Sequence, residues 1–438
     1  MRQGVPKGRF KLQCLILSGL FASVNTFAAE PTLRAAHSLT AQELAGKAEP
    51  SLPVQNLGTV APLGLDVTTI AFRSDQASAS DSRGRLFPLS LDRQIQLNAT
   101  ALLRVAKPRK GAVVVLRAAD GKVLAAADYP VDTPRLESVL WSALTPSASL
   151  FKLVTTAALI ERAELAPTHR VCSAGGEHQI NGEQLAAPKG DNVRCQPFAS
   201  ILATSRNAAY ARLVANHLSS EDVSNYADRF GFNTSPTASL PIELGRYTPS
   251  YSPLGVARTA TGFIGSSLSV FGAANLGMII ANGGRWVKIR LLDSQSSTEP
   301  DSSAHSDDGS EQAILPQTAR RLREMMEQVV RAGTAHGAFH DDVGRPVLGN
   351  MSVAGKTGTL GHDEETSSWF VGFAPSRAPE IVVAVLLDNG PVWRTTAKMV
   401  AAAVLEHYFS REKPRGAGRL EHADNLKVGA YARKRLLP

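Results

Sequence analysis

The sequence predicts an α+β fold, an antiparallel sheet flanked by helices, and three stretches carry that prediction. Residues 112–116 are a β-branched run, Asp120-Gly121 is a hairpin turn dipeptide, and residues 122–126 return. Towards the other end, residues 368–374 and 380–388 are two more strand-like runs, joined by a turn through Pro375 and Pro379. Between these pairs lie apolar segments of helical length, 150–160 and 268–280. Strand pairs with helices between them describe a sheet beside helices rather than a helix bundle.

The chain has 438 residues, 43% hydrophobic and 20% charged, an ordinary composition for a globular protein of two or three structural units. Its net charge of +8 sits at the ends. Arg2, Lys7, Arg9 and Lys11 contribute +4, and residues 411–438 hold eight Lys or Arg against three acids, or +5. Taking both from +8 leaves −1 over the body, which does not describe a nucleic-acid-binding face.

The N-terminal charge precedes an apolar run, 12–24, short for a bilayer span, and Thr26-Phe27-Ala28 has small residues at cleavage-site spacing. Residues 1–28 read as a secretory signal peptide that removes Cys14, with an uncleaved anchor as the alternative. Residues 29–87 form an extended or irregular segment without sustained periodicity, and 73–84 is a loop by composition. Ile95, Leu97, Leu102, Leu103 and Val105 suit an amphipathic helix over 92–106. After the hairpin opened by Gly111, Pro146 precedes the apolar helix that carries Ser149 and Lys152. Residues 201–213 read as helix, then a polar break with Ser205 and Asn207, then helix.

Further on, 268–284 is a buried helix of small residues stopped by Asn282-Gly283-Gly284. Residues 293–312 are a solvated insertion, and 320–331 an amphipathic helix. The stretch 353–359, with Lys356-Thr357-Gly358, borders the strand pair, where Gly355 and Gly358 let another backbone approach. A helix over 395–408 follows, then the basic tail.

Ser149 and Lys152 stand three apart, so on a helix they share a face with Cβ atoms ~5–6 Å apart. That is the reach an amine needs to take a serine proton, and a helix N-terminus favours the resulting negative charge. Such a pair is usually a solvated serine and a surface lysine, but this lysine lies in an apolar helix. Ser205-x-Asn207 by itself would be an N-cap and turn. Lys356-Thr357-Gly358 lacks the earlier glycine and the following helix of a phosphate-binding loop. Cys172 and Cys195, a pair in an exported chain, invite a disulfide worth about 3 kcal/mol, with two separate thiols as the alternative. His178 has no companions at metal-binding spacing, so neither metal nor cofactor is expected.

Taken in order in one exported chain, Ser-x-x-Lys, Ser-x-Asn and Lys-Thr-Gly reinforce one another. The chain resembles the penicillin-binding protein transpeptidase domain of the serine D,D-peptidase and β-lactamase superfamily. Leu91-Asp92-Arg93-Gln94, Phe230-Gly231-Phe232, Gly333-Thr334-Ala335 and residues 369–375 are further landmarks. The resemblance covers about 88–410, leaving 1–28, 29–87 and the tail 411–438 outside it.

The resemblance implies a D,D-peptidase/β-lactamase-like fold with an all-helical subdomain holding Ser205 and Asn207. Ser149 would attack the carbonyl between the last two D-alanines of a peptidoglycan stem peptide. Lys152 would be its base, kept neutral by burial and by the charge of Lys356. Ser205 would relay a proton to the leaving amine, and Asn207 would hold the substrate amide or Lys152. Lys356 and Thr357 would receive the terminal carboxylate, with Gly358 and Thr359 completing the substrate run. Backbone N–H groups of Ser149 and Thr359 would form an oxyanion hole, on the order of 3 kcal/mol per donor. One departure is Ala148, where many relatives have Gly.

The implied activity is that of a β-lactam-sensitive D,D-transpeptidase in the periplasm or at the outer face of the cytoplasmic membrane. Its partners would be stem peptides and β-lactams. A membrane glycan polymerase and peripheral membrane contact are further candidates, and nucleic acid is not. The alternatives are a D,D-carboxypeptidase or β-lactamase, in which water resolves the same acyl-enzyme, and a non-catalytic penicillin sensor. Glu243 is the base on offer between Asn207 and Lys356, but its neighbours do not look like the class A hydrolytic loop.

Overall fold

Valine-rich strands from the two ends of the predicted region meet in one sheet. The computed structural model describes residues 65–130, 138–176, 179–234, 242–293, 311–362, 365–389 and 395–412. All of them belong to the unit Leu57–Pro438. The expectations for residues 1–28, for His178, for most of 293–312 and for the tail beyond 412 fall outside the described residues.

The first strands, β1 (Leu65–Arg73), β2 (Gln76–Asp81) and β3 (Leu86–Leu89), form an antiparallel meander. This corrects the loop expected over 73–84. Ala77, Ala79 and Asp81 are buried and alternate with Ser78 and Ser80, a period-2 pattern masked by the weak hydrophobicity of Ala and Ser. Helix α1 (Arg93–Ala106) starts at Asp92, whose carboxylate accepts from the N–H groups of Gln94 and Ile95. Strands β4 (Lys110–Arg117) and β5 (Val123–Tyr129) are the predicted hairpin.

Next, β6 (Thr145–Pro146) runs through the turn Ala148–Leu150 into α2 (Lys152–Arg162). The ribbon β7 (Arg170–Ser173) and β8 (Arg194–Pro197) is bridged by a Cys172–Cys195 disulfide. Helices α3 (Phe198–Ala203), α4 (Asn207–His217) and α5 (Ser220–Arg229) follow. Then come β9 (Gly245–Tyr247), α6 (Pro253–Ala260), β10 (Ser266–Leu268) and α7 (Val270–Ala281). The chain continues through α8 (Pro316–Arg331), α9 (His336–Phe339), β11 (Ala354–His362), β12 (Glu365–Ala374), β13 (Ile381–Asn389) and α10 (Ala397–Glu412).

The main sheet has the order β11-β12-β13-β4-β5 and is antiparallel throughout, which bears out the α+β prediction. Register pairs Lys356 with Val371, Val371 with Ala384, and Ala384 with Val114. Helix α7 lies against Val371 and Val382, where Gly277 lets its backbone come close. Ser368 is three residues from Val371 and so faces the opposite side, where its Oγ accepts from the Ala397 N–H of α10 at 3.1 Å. The sheet is therefore covered on both faces, which is why the valines of β4 and β13 are fully buried. Helices α2, α4, α5 and α6 pack together beside it as the helical region, and α3 packs on α8. Among the described residues, no helix is long and apolar enough to cross a membrane.

Candidate active site

Ser149 lies in a single 3₁₀ turn, and the α-helix begins only at Lys152. Pro146 is held in β6 opposite Ser267, and Ala148 takes a left-handed φ of 46°, which an α-helix cannot include. Three separate parts of the chain clasp this turn. The Trp369 Nε1–H donates to Pro146 O at 2.9 Å, and the Ser147 and Ser266 hydroxyls share a hydrogen at 2.5 Å. Gly262, at φ +85°, approaches so closely that a Cβ there would lie 1.8 Å from Ala148 O. Strand β11 runs alongside, with Gly358 against Ala148 and the Ser149 amide nitrogen.

The Lys152 side chain is fully buried. Its Nζ is 3.0 Å from Ser149 Oγ, 3.0 Å from Ser205 O and 3.1 Å from Ser205 Oγ, and it also bonds Asn207 Oδ1. Ser205 O and Asn207 Oδ1 can only accept, so together they take two N–H bonds. A neutral amine then has its lone pair left for a hydroxyl hydrogen, and among the described residues Ser149 and Ser205 are the hydroxyls bonded to it. Lys356, also fully buried, reaches Ser205 Oγ from β11 at 3.1 Å and Thr357 O at 2.6 Å. Ser205 thus bridges two amines. It sits in the break between α3 and α4, at a left-handed φ of 57°.

Burial holds the Lys152 amine well below its usual range, and the neighbouring Lys356 pushes in the same direction. Burial alone brings Lys356 down to about 7.

Ser149, Lys152, Ser205, Asn207, Lys356 and Thr357 are thus connected through hydrogen bonds, while Gly358 touches the Ser149 turn and Thr359 is exposed one residue further along β11. Cys172 and Cys195 stand apart on the β7–β8 ribbon. Sequence reasoning missed Tyr210, whose ring lies 5.4 Å from Lys152 Nζ and whose hydroxyl meets Thr156 Oγ1 at 2.6 Å. Its signal was available, since Tyr210 is three residues after Asn207 on one helix face. Thr334 was also missed as a site residue. Its hydroxyl lies 2.5 Å from that of Thr357. Glu243 is tied to Arg246 and accepts from Ala143 N–H at 3.0 Å. Among the described residues, no group of three His, Cys, Asp or Glu is placed to hold a metal.

Fold and cleft together define a class, α+β proteins in which a serine hydroxyl meets a buried lysine between a sheet edge and a helical region. The family model for the penicillin binding protein transpeptidase domain matches residues 111–409, and the chain belongs to that family. It is 28% identical over 329 residues to the peptidoglycan D,D-transpeptidase PbpA of Mycobacterium tuberculosis, covering 65% of this chain and 62% of that one. It is 27% identical over 318 residues to the probable peptidoglycan D,D-transpeptidase PbpC of Pseudomonas aeruginosa, covering 69% of this chain and 54% of the relative. The chain therefore spans less than two thirds of the length of these relatives. Among solved structures, penicillin-binding protein A from M. tuberculosis, as an imipenem acyl-enzyme complex, superposes with a TM-score of 0.59 at 24% identity, over 73% of this chain and 79% of that one. A peptidoglycan glycosyltransferase from Burkholderia ambifaria gives 0.59 at 25% identity, over 74% and 96%.

Proposed function

We propose that this protein is a peptidoglycan D,D-transpeptidase that cross-links stem peptides through a Ser149 acyl-enzyme and is inhibited by β-lactams. The observation that carries the reading is the buried Lys152 amine, 3.0 Å from Ser149 Oγ, with Ser205 Oγ between it and Lys356. Lys152 Nζ takes the Ser149 proton as Oγ bonds to the carbonyl carbon before the terminal D-alanine. The oxyanion is met by the Ser149 and Thr359 backbone N–H groups. Collapse breaks the peptide bond, and the leaving amine takes its proton from Ser205, which Lys152 resupplies. Lys356 and Thr357 hold the terminal carboxylate, and Asn207 orients Lys152. An acceptor amine then takes the acyl group by the reverse sequence.

Hydrolysis of the acyl-enzyme needs a base for water. Glu243 is occupied by Arg246, and among the described residues no carboxylate is bonded to Ser149 or Lys152. That favours transfer over a β-lactamase reaction. We place the mature protein outside the cytoplasm, consistent with an N-terminal signal peptide and with a disulfide. A membrane glycan polymerase is the proposed partner.

Product analysis with a D-Ala-D-Ala donor, with and without an amine acceptor, is the test. Cross-linked product is expected with the acceptor, and release of D-alanine alone would make the enzyme a carboxypeptidase. Fluorescent penicillin should label the protein one to one, and Ser149→Ala should abolish labelling. Lys152→Ala should slow acylation on the order of 10²–10⁴-fold. Persistent labelling of Ser149→Ala would remove the nucleophile.

A further inference from the structure

One lysine near the cleft has no part in this scheme. Lys398 lies in the first turn of α10, where a positive charge opposes the helix dipole and gains nothing for the helix. It is partly buried, which lowers its pKa, and its Nζ donates to Thr334 O at 2.8 Å. Thr334 belongs to the turn between α8 and α9. Its N–H donates to Ala203 O at 3.0 Å, at the end of the helix that leads into Ser205. Gly333 packs on that same carbonyl, where a Cβ would come within 2.3 Å of Ala203 O. On its third side Thr334 places its hydroxyl 2.5 Å from Thr357 Oγ1. The turn therefore joins the Ser205 break, β11 and α10.

Each of these two hydroxyls has a single hydrogen. One is spent between them, so the pair has one hydrogen left to point outward. The direction of that hydrogen depends on where Thr334 stands, and Lys398 fixes its carbonyl. We propose that Thr334 and Lys398 are positioning residues for the terminal-carboxylate end of the cleft. Thr334 aims the Thr357 hydroxyl, Lys398 holds Thr334 in place, and the two together make the site prefer a free carboxylate over a neutral end. This rests on the reading of Lys356 and Thr357 as the carboxylate site. It extends that site to the last helix, which carries none of the three motifs.

The test measures binding without turnover. In a Ser149→Ala background, calorimetric titration compares an acetylated D-Ala-D-Ala dipeptide carrying a free carboxylate with its C-terminal carboxamide. Lys398→Met and Thr334→Val should each cut the carboxylate's advantage over the carboxamide at least fivefold, while Lys398→Arg and Thr334→Ser retain most of it. Equal losses for both ligands would mean a merely structural role and would overturn the proposal. So would an unchanged ratio, or no preference for the carboxylate before substitution. Penicillin labelling of the Ser149 protein, run in parallel, reports separately on the acyl-enzyme.

Discussion

Lys356 and Lys152 lie on either side of one serine hydroxyl, and both cannot comfortably be ammonium ions in a buried cleft. The scheme needs Lys152 neutral and Lys356 charged, and their titrations are linked because the charge on Lys356 is one of the two causes that depress Lys152. Replacing Lys356 by Met removes that cause, so the Lys152 pKa rises and its neutral form appears only at higher pH. The acid limb of the acylation rate should accordingly move to higher pH in Lys356→Met. The alkaline limb, which follows loss of charge from Lys356 above about 7, should disappear. Rates of penicillin acylation across pH check both, and an acid limb that stays in place would separate the two lysines. Ser149 and Lys152 were legible as a candidate pair because their spacing brings a hydroxyl within reach of an amine, whereas Lys356 became legible only through the resemblance. Thr334 and Lys398 were not. Their link runs through a backbone carbonyl and a close approach of Gly333, which leave no pattern in side-chain type.

At the scale of elements, the turn carrying Ser149 is held less by its own sequence than by its clasps. Ala148 is in a conformation that costs a non-glycine residue on the order of 1 kcal/mol, and the surrounding contacts must offset it. Gly262→Ala tests this. The added methyl would fall on Ala148 O, and φ +85° also strains any side chain, so the turn must shift. Penicillin acylation should slow at least tenfold while far-ultraviolet circular dichroism stays close to that of the unsubstituted protein, and an unchanged rate would mean that the clasp does not position Ser149. The long elements were readable, since the hairpin, the buried helices and the strand pair are continuous apolar or β-branched runs of strand or helix length bounded by turn residues. The small sheet β6-β10-β9 was not, because strands of two or three residues are too short to show one. Small residues hid β2 in the same way. The helix expected to begin at Pro146 begins later because that proline is engaged in this sheet.

At the scale of the molecule, the β7–β8 ribbon ties the segment between α2 and α3 back on itself, and Arg212 of α4 donates to Cys172 O at 2.9 Å. The disulfide spans 23 positions of sequence, and closing a loop of that size stabilises the fold by about 3 kcal/mol on the chain-entropy estimate. A Cys172→Ser, Cys195→Ser double variant should lose about that much in urea unfolding, and the unreduced mature protein, without Cys14, should resist thiol alkylation. Labelling of both cysteines without reductant would rule the bridge out. The helical region and the sheet were foreseeable as a pair only through the resemblance, since no periodicity states which helices gather where.

The Trp369–Pro146 contact joins residues 223 apart in sequence, and Lys356 meets Ser205 across 151. A cleft stitched from such distant segments has no local precursor, and long-range pairings form late and slowly. Under the proposed function, ability to capture a β-lactam would therefore serve as a folding clock. During refolding it should emerge in the last kinetic phase, together with the final change in tryptophan fluorescence, and a nascent chain still lacking β12 should remain blind to the drug.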